Sequence, residues 1–316
     1  MSIFTQVGSD VTQTSSLDEA MTKADLNWTV SKRPIYVLSE RTQDWHGTSK
    51  WFANTRDDDD HILGIVGPDY QIIQNSELAY MASRVCGADV KVETCGSLQG
   101  GQRVWLQLSS NPFAVGPKKD EVQPKFLLTN GHTGMHPLAA LPTTVRVICE
   151  NTLNMALNTG RKNNMMITLK HTGNIQDRLE SLINAIHEFK DRTQNFQEKA
   201  EVLANTSVST EFVQNFWTQV YMDMFGNIHS NPTTDQQNED NKDARSTMIK
   251  WSNTFDLETP MSGSNLWTAM NAVTYWIDHN QIYRGNKKAE NRFVDVLFGN
   301  GAKEKVAVMD HALSMV

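Results

Sequence analysis

Cysteine is scarce in this chain of 316 residues. Cys86, Cys95 and Cys149 are an odd number without CxxC spacing, which excludes a disulfide framework and a cysteine zinc site, so reduced thiols are expected. Long apolar runs are missing as well. No stretch approaches the ~20 residues needed to span a bilayer, and Met1 to Asp10 has neither the basic start nor the apolar run of a secretory signal. The expectation is a cytoplasmic protein without membrane contact. Glycine-rich phosphate loops are also absent. Gly96 to Gly101 fits neither GxGxxG nor GxxxxGK followed by Ser or Thr, and is expected as a hairpin turn. No cofactor is implied.

An overall excess of positive charge is lacking too. The net charge of −7 disfavours nonspecific attachment to nucleic acid or acidic membranes. The distribution is uneven, however: Arg84 to Gly173 holds ten Lys/Arg against five Asp/Glu, so a basic middle lies between acidic flanks. Such asymmetry fits a binding face on an acidic scaffold.

What is present divides into three stretches. Residues 1 to 60 read as a polar N-terminal arm with one short helix, Leu17 to Ala24, ending in the solvated run Asp57 to Asp60. Four consecutive aspartates lack the spacing and turn glycine of a calcium loop. Residues 61 to 173 read as an α+β core with a basic sheet face. Its expected strands are Ile62 to Val66, Tyr70 to Ile73, Val90 to Thr94, Arg103 to Ser109, Lys125 to Asn130 and Thr144 to Ile148. A helix over Asn75 to Val85 would be capped by Asn75 or Ser76, and one over Thr152 to Asn158 by Asn151. From residue 174 to 316 the period turns helical: Leu179, Leu182, Ile183, Ile186, Phe189, Phe196 and Leu203 mark a long amphipathic helix. Further helices are expected over Glu211 to Phe225, Ala244 to Asn253 and Asn265 to Asn280 and near the C-terminus, with a mobile loop at about 227 to 243. The fold class predicted is α+β, a mainly antiparallel sheet with packed helices followed by a helical C-terminal region.

Five strings occur in order: Leu63-Gly64-Ile65-Val66-Gly67, Gln74-Asn75, Glu93 to Leu98, Val145 to Leu153, and Asn271-Ala272-Val273-Thr274. With them the chain resembles the phage/plasmid-like family of unknown function, from about Leu17 to the C-terminus. It departs from that pattern at Tyr275, where the family commonly carries an acidic residue. The order of elements is also similar in architecture to single-strand annealing proteins of the RecT and Rad-fifty-two kind, which implies nucleic-acid work and a homo-oligomer.

Along the Arg103 strand, Val104, Leu106 and Leu108 point one way, while Arg103, Trp105, Gln107 and Ser109 point the other. With Lys125 and Arg146 on neighbouring strands, the second face could offer guanidinium groups to phosphates and a ring to unpaired bases. The bland reading is a half-solvated sheet with Trp105 under a helix. At Arg146 to Leu153, either an anion docks at a helix N-terminus near Asn151, or Arg146 pairs with Glu150 or another carboxylate. Cys149 is expected on a buried face with Val145 and Val147, a poor place for a nucleophile working with His132. His132, His136 and His171 read as turn histidines rather than metal ligands. Asn271, Thr274 and Asp278 form a polar stripe on one helical face, which is either solvated, docked onto the sheet or bound to a ligand.

These readings favour binding over catalysis. A mobile-element protein that binds or anneals single-stranded DNA through Arg103, Trp105, Gln107, Lys125, Arg146 and Asn151 is the first expectation. An accessory or counter-defence protein that binds a host or phage protein or a small ligand is the second, and an undescribed enzyme the third.

Overall fold

The computed structural model of the protein describes residues 2–86, 90–154, 167–173, 180, 189–226 and 228–316. The strands are β1 (Ser9–Asp10), β2 (Val30–Leu38), β3 (Trp45–Arg56), β4 (Ile62–Val66), β5 (Val90–Leu98), β6 (Arg103–Ser110), β7 (Phe113–Val115), β8 (Asp120–Gly131), β9 (Leu138–Arg146), β10 (Thr152–Asn154) and β11 (Ile167–Leu169). The helices are α1 (Leu17–Lys23), α2 (Asn75–Val85), α3 (Phe189–Asn205), α4 (Thr210–Phe225), α5 (Asp235–Ser262), α6 (Leu266–Tyr275), α7 (Lys288–Phe298) and α8 (Asn300–Ser314). The fold is α+β with antiparallel pairing and a helical C-terminal region. No helix among the described residues is long and apolar enough to cross a membrane.

Two compact units share the chain. The first comprises the described residues of Met1–Asn111, Lys125–Pro142 and Leu157–Lys190, and the second those of Pro112–Pro124, Thr143–Ala156 and Asp191–Val316. Strands β8 and β9 give residues to both.

In the first unit, β1, β5, β6, β8 and β9 follow one another across a sheet, with β11 also paired to β9. Both faces of β6 are covered. Phe4 packs its ring against Trp105 at 5.9 Å, and Gly8 lies so close that a Cβ there would stand 2.5 Å from the indole. On the opposite face, which carries Cys95 and Leu106, the Cys95 thiol meets the carbonyl of Ala20 in α1 at 3.6 Å. The stretch expected as a polar arm therefore supplies core residues: Ile3, Phe4, Val11, Met21, Leu26 and Trp28 are buried.

Two other local expectations change in this unit. Gln74, not Asn75 or Ser76, caps α2, in a reciprocal box with Glu77. Asn75 is the first helical residue, and its buried amide donates to the carbonyls of Leu26 and Trp28. Its Oδ1 is thereby left to accept from His132 Nε2 at 3.0 Å. Tyr70 to Ile73 is not a strand: the Tyr70 hydroxyl donates to the Gly131 carbonyl and its ring stacks on His171 at 4.7 Å, while Gln71 N–H reaches the His171 carbonyl.

A second sheet, β2-β3-β4, completes the first unit. Asp57 to Asp60 form its β3–β4 turn, tied by Arg33 to Asp57 and Asp60 and by Arg56 to Asp58.

The second unit holds β7 against the start of β8, β9 against β10, and α3 to α8. Thr152 to Asn154, expected to open a helix, is strand β10, because Thr152 pairs with Val145 and Leu153 with Thr144. The remainder of that expected helix lies outside the described residues, as do Leu179, Leu182, Ile183 and Ile186. Phe196 and Leu203 are buried in α3. Helix α5 begins at Asp235, inside the stretch expected as a mobile loop, because Thr234 and Gln237 form a capping box there. Rings of Trp217, Tyr221, Phe225, Trp251, Phe255 and Trp276 meet in edge and tilted contacts at 5.0 to 6.4 Å and join α4, α5 and the end of α6.

Burial, with His171 nearby, pushes the His132 pKa down to about 3. The unfolded imidazole titrates near 6.5, so below that pH the unfolded chain takes up a proton that the folded chain refuses. Stability from this residue is complete above about pH 6.5 and is lost toward pH 3, by about 1.4 kcal/mol per pH unit. Urea midpoints between pH 7 and pH 4 should fall accordingly, and His132→Gln should have the shallower dependence.

Candidate binding surface

The residues first expected to line one basic face do not form one. In the first unit Trp105 and Gln107 are buried, Gln107 accepting from the Thr94 hydroxyl at 2.6 Å. The expectation of an exposed Trp105 face is corrected by Phe4 and Gly8, an N-terminal segment rather than a helix. Lys125 is paired with Glu93, and Arg103 Nη2 lies 2.7 Å from His136 Nδ1. Burial lowers the Arg103 pKa, and burial followed by the nearby Arg103 charge lowers that of His136.

Arg146, in the second unit, is corrected most sharply: it is 2% exposed rather than facing solvent. Strand β9 ends at Arg146, and the turn that follows carries Val147, Ile148 and Cys149. Every residue of β9 is buried, Val145 and Arg146 alike, so the solvent face expected for Arg146 is missing, and the turn leaves Val147 exposed where burial was expected, with Ile148 exposed beside it. Its Nε donates to Asp120 Oδ2 at 2.5 Å, its Nη1 to Glu258, and its Nη2 to the Ser262 hydroxyl at 2.5 Å. Asp120 Oδ2 also accepts from Trp267 Nε1 at 2.9 Å. Burial works against the guanidinium charge, but Cys149, Glu258 and Asp120 around it raise its pKa above the ordinary value. Of the two sequence readings, pairing with a carboxylate is the one present, though not with Glu150.

Cys149 sits 3.4 Å from Arg146 Nη1, and burial pushes its pKa up to about 12. A thiol so protonated is a weak nucleophile. Its sequence-proposed partner His132 belongs to the first unit and is bonded to Asn75. Among the described residues no group of three or more His, Cys, Asp or Glu is placed to hold a metal ion.

The polar stripe of α6 and the turn after it docks onto the start of β10. Asn151 Nδ2 donates to the Asn271 carbonyl at 3.0 Å and to the Thr274 hydroxyl at 3.2 Å. Asp278 accepts from the Thr152 N–H at 2.5 Å and hydroxyl at 2.9 Å. Fully buried Lys305 of α8 donates to Asp278 Oδ1 at 2.7 Å and to Thr152 Oγ1 at 2.5 Å. Asn151 thus precedes a strand rather than a helix, and together with Asn271, Thr274 and Asp278 it is part of an internal fastening. Lys305 was not singled out in the sequence, where it reads as one more cation on an amphipathic helix.

An exposed apolar surface lies elsewhere, on the β2–β3 hairpin of the first unit. Trp45 is 66% exposed, Tyr36 56% and Trp51 54%, with Val37 and Leu38 also exposed. Register pairs Tyr36 with Gly47 and Leu38 with Trp45, so these residues share one face, while Val37 and His46 share the other. Tyr36 lies flat on Gly47, where a Cβ would stand 3.1 Å from its ring. The signal was present as Ile35 to Leu38 and Trp45 to Phe52 around the turn-forming Ser39 to Asp44. The surrounding Ser and Thr made the stretch read as irregular.

A family model described as a domain of unknown function, DUF932, matches residues 62–297, about three quarters of the chain, and the chain belongs to that family. The hairpin precedes the matched region. No curated protein and no solved structure matches the chain.

Removing Arg146 leaves two buried carboxylates uncompensated, a change that costs about 3–5 kcal/mol. Arg146→Ala should therefore lower chemical-denaturation stability by that amount, and adding Asp120→Asn and Glu258→Gln should return part of it. Cys149→Ala should cost less, since it removes only a neutral thiol.

Proposed function

We propose that the protein is an accessory protein of phages or plasmids that works by binding another protein, with the β2–β3 hairpin as its contact surface. One observation carries this reading: Tyr36, Leu38 and Trp45 form an exposed apolar face on a hairpin whose residues 34 to 52 hold two cations, Arg41 and Lys50, against two anions, Glu40 and Asp44. An uncharged aromatic face suits a protein partner, because aromatic residues are enriched and charges depleted at the centres of protein interfaces. Contact with nucleic acid would need a surplus of cations, and Arg146 and Lys125 are occupied by carboxylates.

Single-stranded DNA binding is the second reading, moved to the same hairpin. It rests on three exposed rings, Tyr36, Trp45 and Trp51, on which bases could stack beside Arg41 and Lys50. Salt separates the two readings. Two phosphate contacts would make log K fall against log salt with a slope of about −1.4, and stacking would quench tryptophan fluorescence. The protein-partner reading expects no quenching by an oligothymidylate at 50 mM salt.

The functional test is genetic. In a cell carrying the element, Tyr36→Ser with Trp45→Ser should reproduce the phenotype of deleting the gene while the protein's level and melting temperature stay unchanged. Full complementation by that double variant would overturn the reading.

A further inference from the structure

The partner of the hairpin can be named more closely, on the assumption that the hairpin is the working surface. We infer that its Tyr36–Leu38–Trp45 face packs against the same face of a second copy of this chain, in a two-fold dimer with the hairpins antiparallel.

Area is the first support. An aromatic side chain buries about 150–250 Å², so at their exposures Tyr36 and Trp45 with Leu38 offer roughly 350 Å² on one face. A standard interface takes about 800 Å² from each partner, of which about 57%, or ~450 Å², is apolar. One face of one hairpin thus supplies most of the apolar area that such an interface needs. Val37 and Trp51 are not required for this.

Shape and charge point to a copy rather than to an unrelated chain. Gly47 leaves room for the Tyr36 ring to pack across the hairpin, so Tyr36, Leu38 and Trp45 make one apolar platform. Two such platforms can stack. The turn carries Glu40, Arg41 and Asp44, a net −1, while Lys50 toward the base carries +1. Antiparallel two-fold packing sets the turn of each hairpin beside the base of the other, so the surface is complementary to itself, as an isologous interface must be. Two chains of net charge −7 repel each other, and the outer part of the hairpin, residues 34 to 52, which has no net charge, is where they can meet at least cost. Pro34 and the irregular register between Pro34 and Ile35 interrupt the free edge of β2, which favours packing of faces over extension of the sheet.

Sedimentation equilibrium of the full chain from 1 to 100 μM tests this. The wild type should dimerise with a Kd in the micromolar range or tighter. Trp45→Glu, which puts a carboxylate into the apolar contact, should weaken association at least 100-fold. Circular dichroism should not change, since the side chain is exposed. Lys50→Glu and Asp44→Lys should each weaken it about tenfold, and an equimolar mixture of these two variants should recover much of the loss as heterodimer. A wild type that stays monomeric at 100 μM overturns the inference, and so does a dimer indifferent to Trp45→Glu. If the wild type is monomeric yet the Tyr36→Ser, Trp45→Ser variant still fails to complement, the hairpin serves another partner and only this inference falls. If dimer-deficient variants complement fully, self-association stands as a property of the hairpin and the proposed function falls.

Discussion

A guanidinium buried between two carboxylates sets the terms for the second unit. Arg146 cannot leave water without both Asp120 and Glu258, and neither carboxylate can stay buried without Arg146. The pairing therefore dictates where the start of β8, the end of β9 and the last turns of α5 converge. Ser262 and Trp267 extend it by donating to the same Asp120 Oδ2 and bringing the first turn of α6 to the same point. A burial of this kind adds little net stability over a well-packed apolar core, but it penalises every arrangement in which one member is missing.

Lys305 repeats the principle a short distance along the chain. Its ammonium shares Asp278 and Thr152, and burial lowers its pKa despite the attraction of Asp278. The backbone N–H of Thr152 also ends on Asp278. One carboxylate thus aligns a strand, a helix terminus and α8. With Asn151 held by Asn271 and Thr274, the polar strings that look functional in the sequence are hydrogen-bonded to one another. In the first unit, His132, Asn75, Asn54 and Tyr70 play the same part, each satisfying a buried partner.

The consequence for function is a separation of roles. Arg146, Lys125, Asn151 and Asp278 are bonded within the fold, while Tyr36, Leu38 and Trp45 stay exposed on the β2–β3 hairpin. The match to DUF932 covers Asp120, Arg146, Glu258 and Asp278 but not Lys305, and begins after the hairpin.

Much of the architecture was readable from short-range signals. Turn residues and period-two or helical spacing mark β4, β5, β6, α2 and α4 closely, because these preferences act over a few residues. Caps were less legible: Gln74 took the place of Asn75 at α2 because Asn75 was needed by Leu26, Trp28 and His132, more than forty residues away. The sequence by itself determined the α+β class and offered a carboxylate as one option for Arg146. Only the tertiary structure decided which carboxylates those are, that Phe4 and Gly8 cover Trp105, and that the exposed rings stand on a hairpin read as irregular. The physical reason is range. Periodicity says that a strand has two faces, but what lies over each face is set by segments about a hundred residues apart, as Arg146 and Glu258 are.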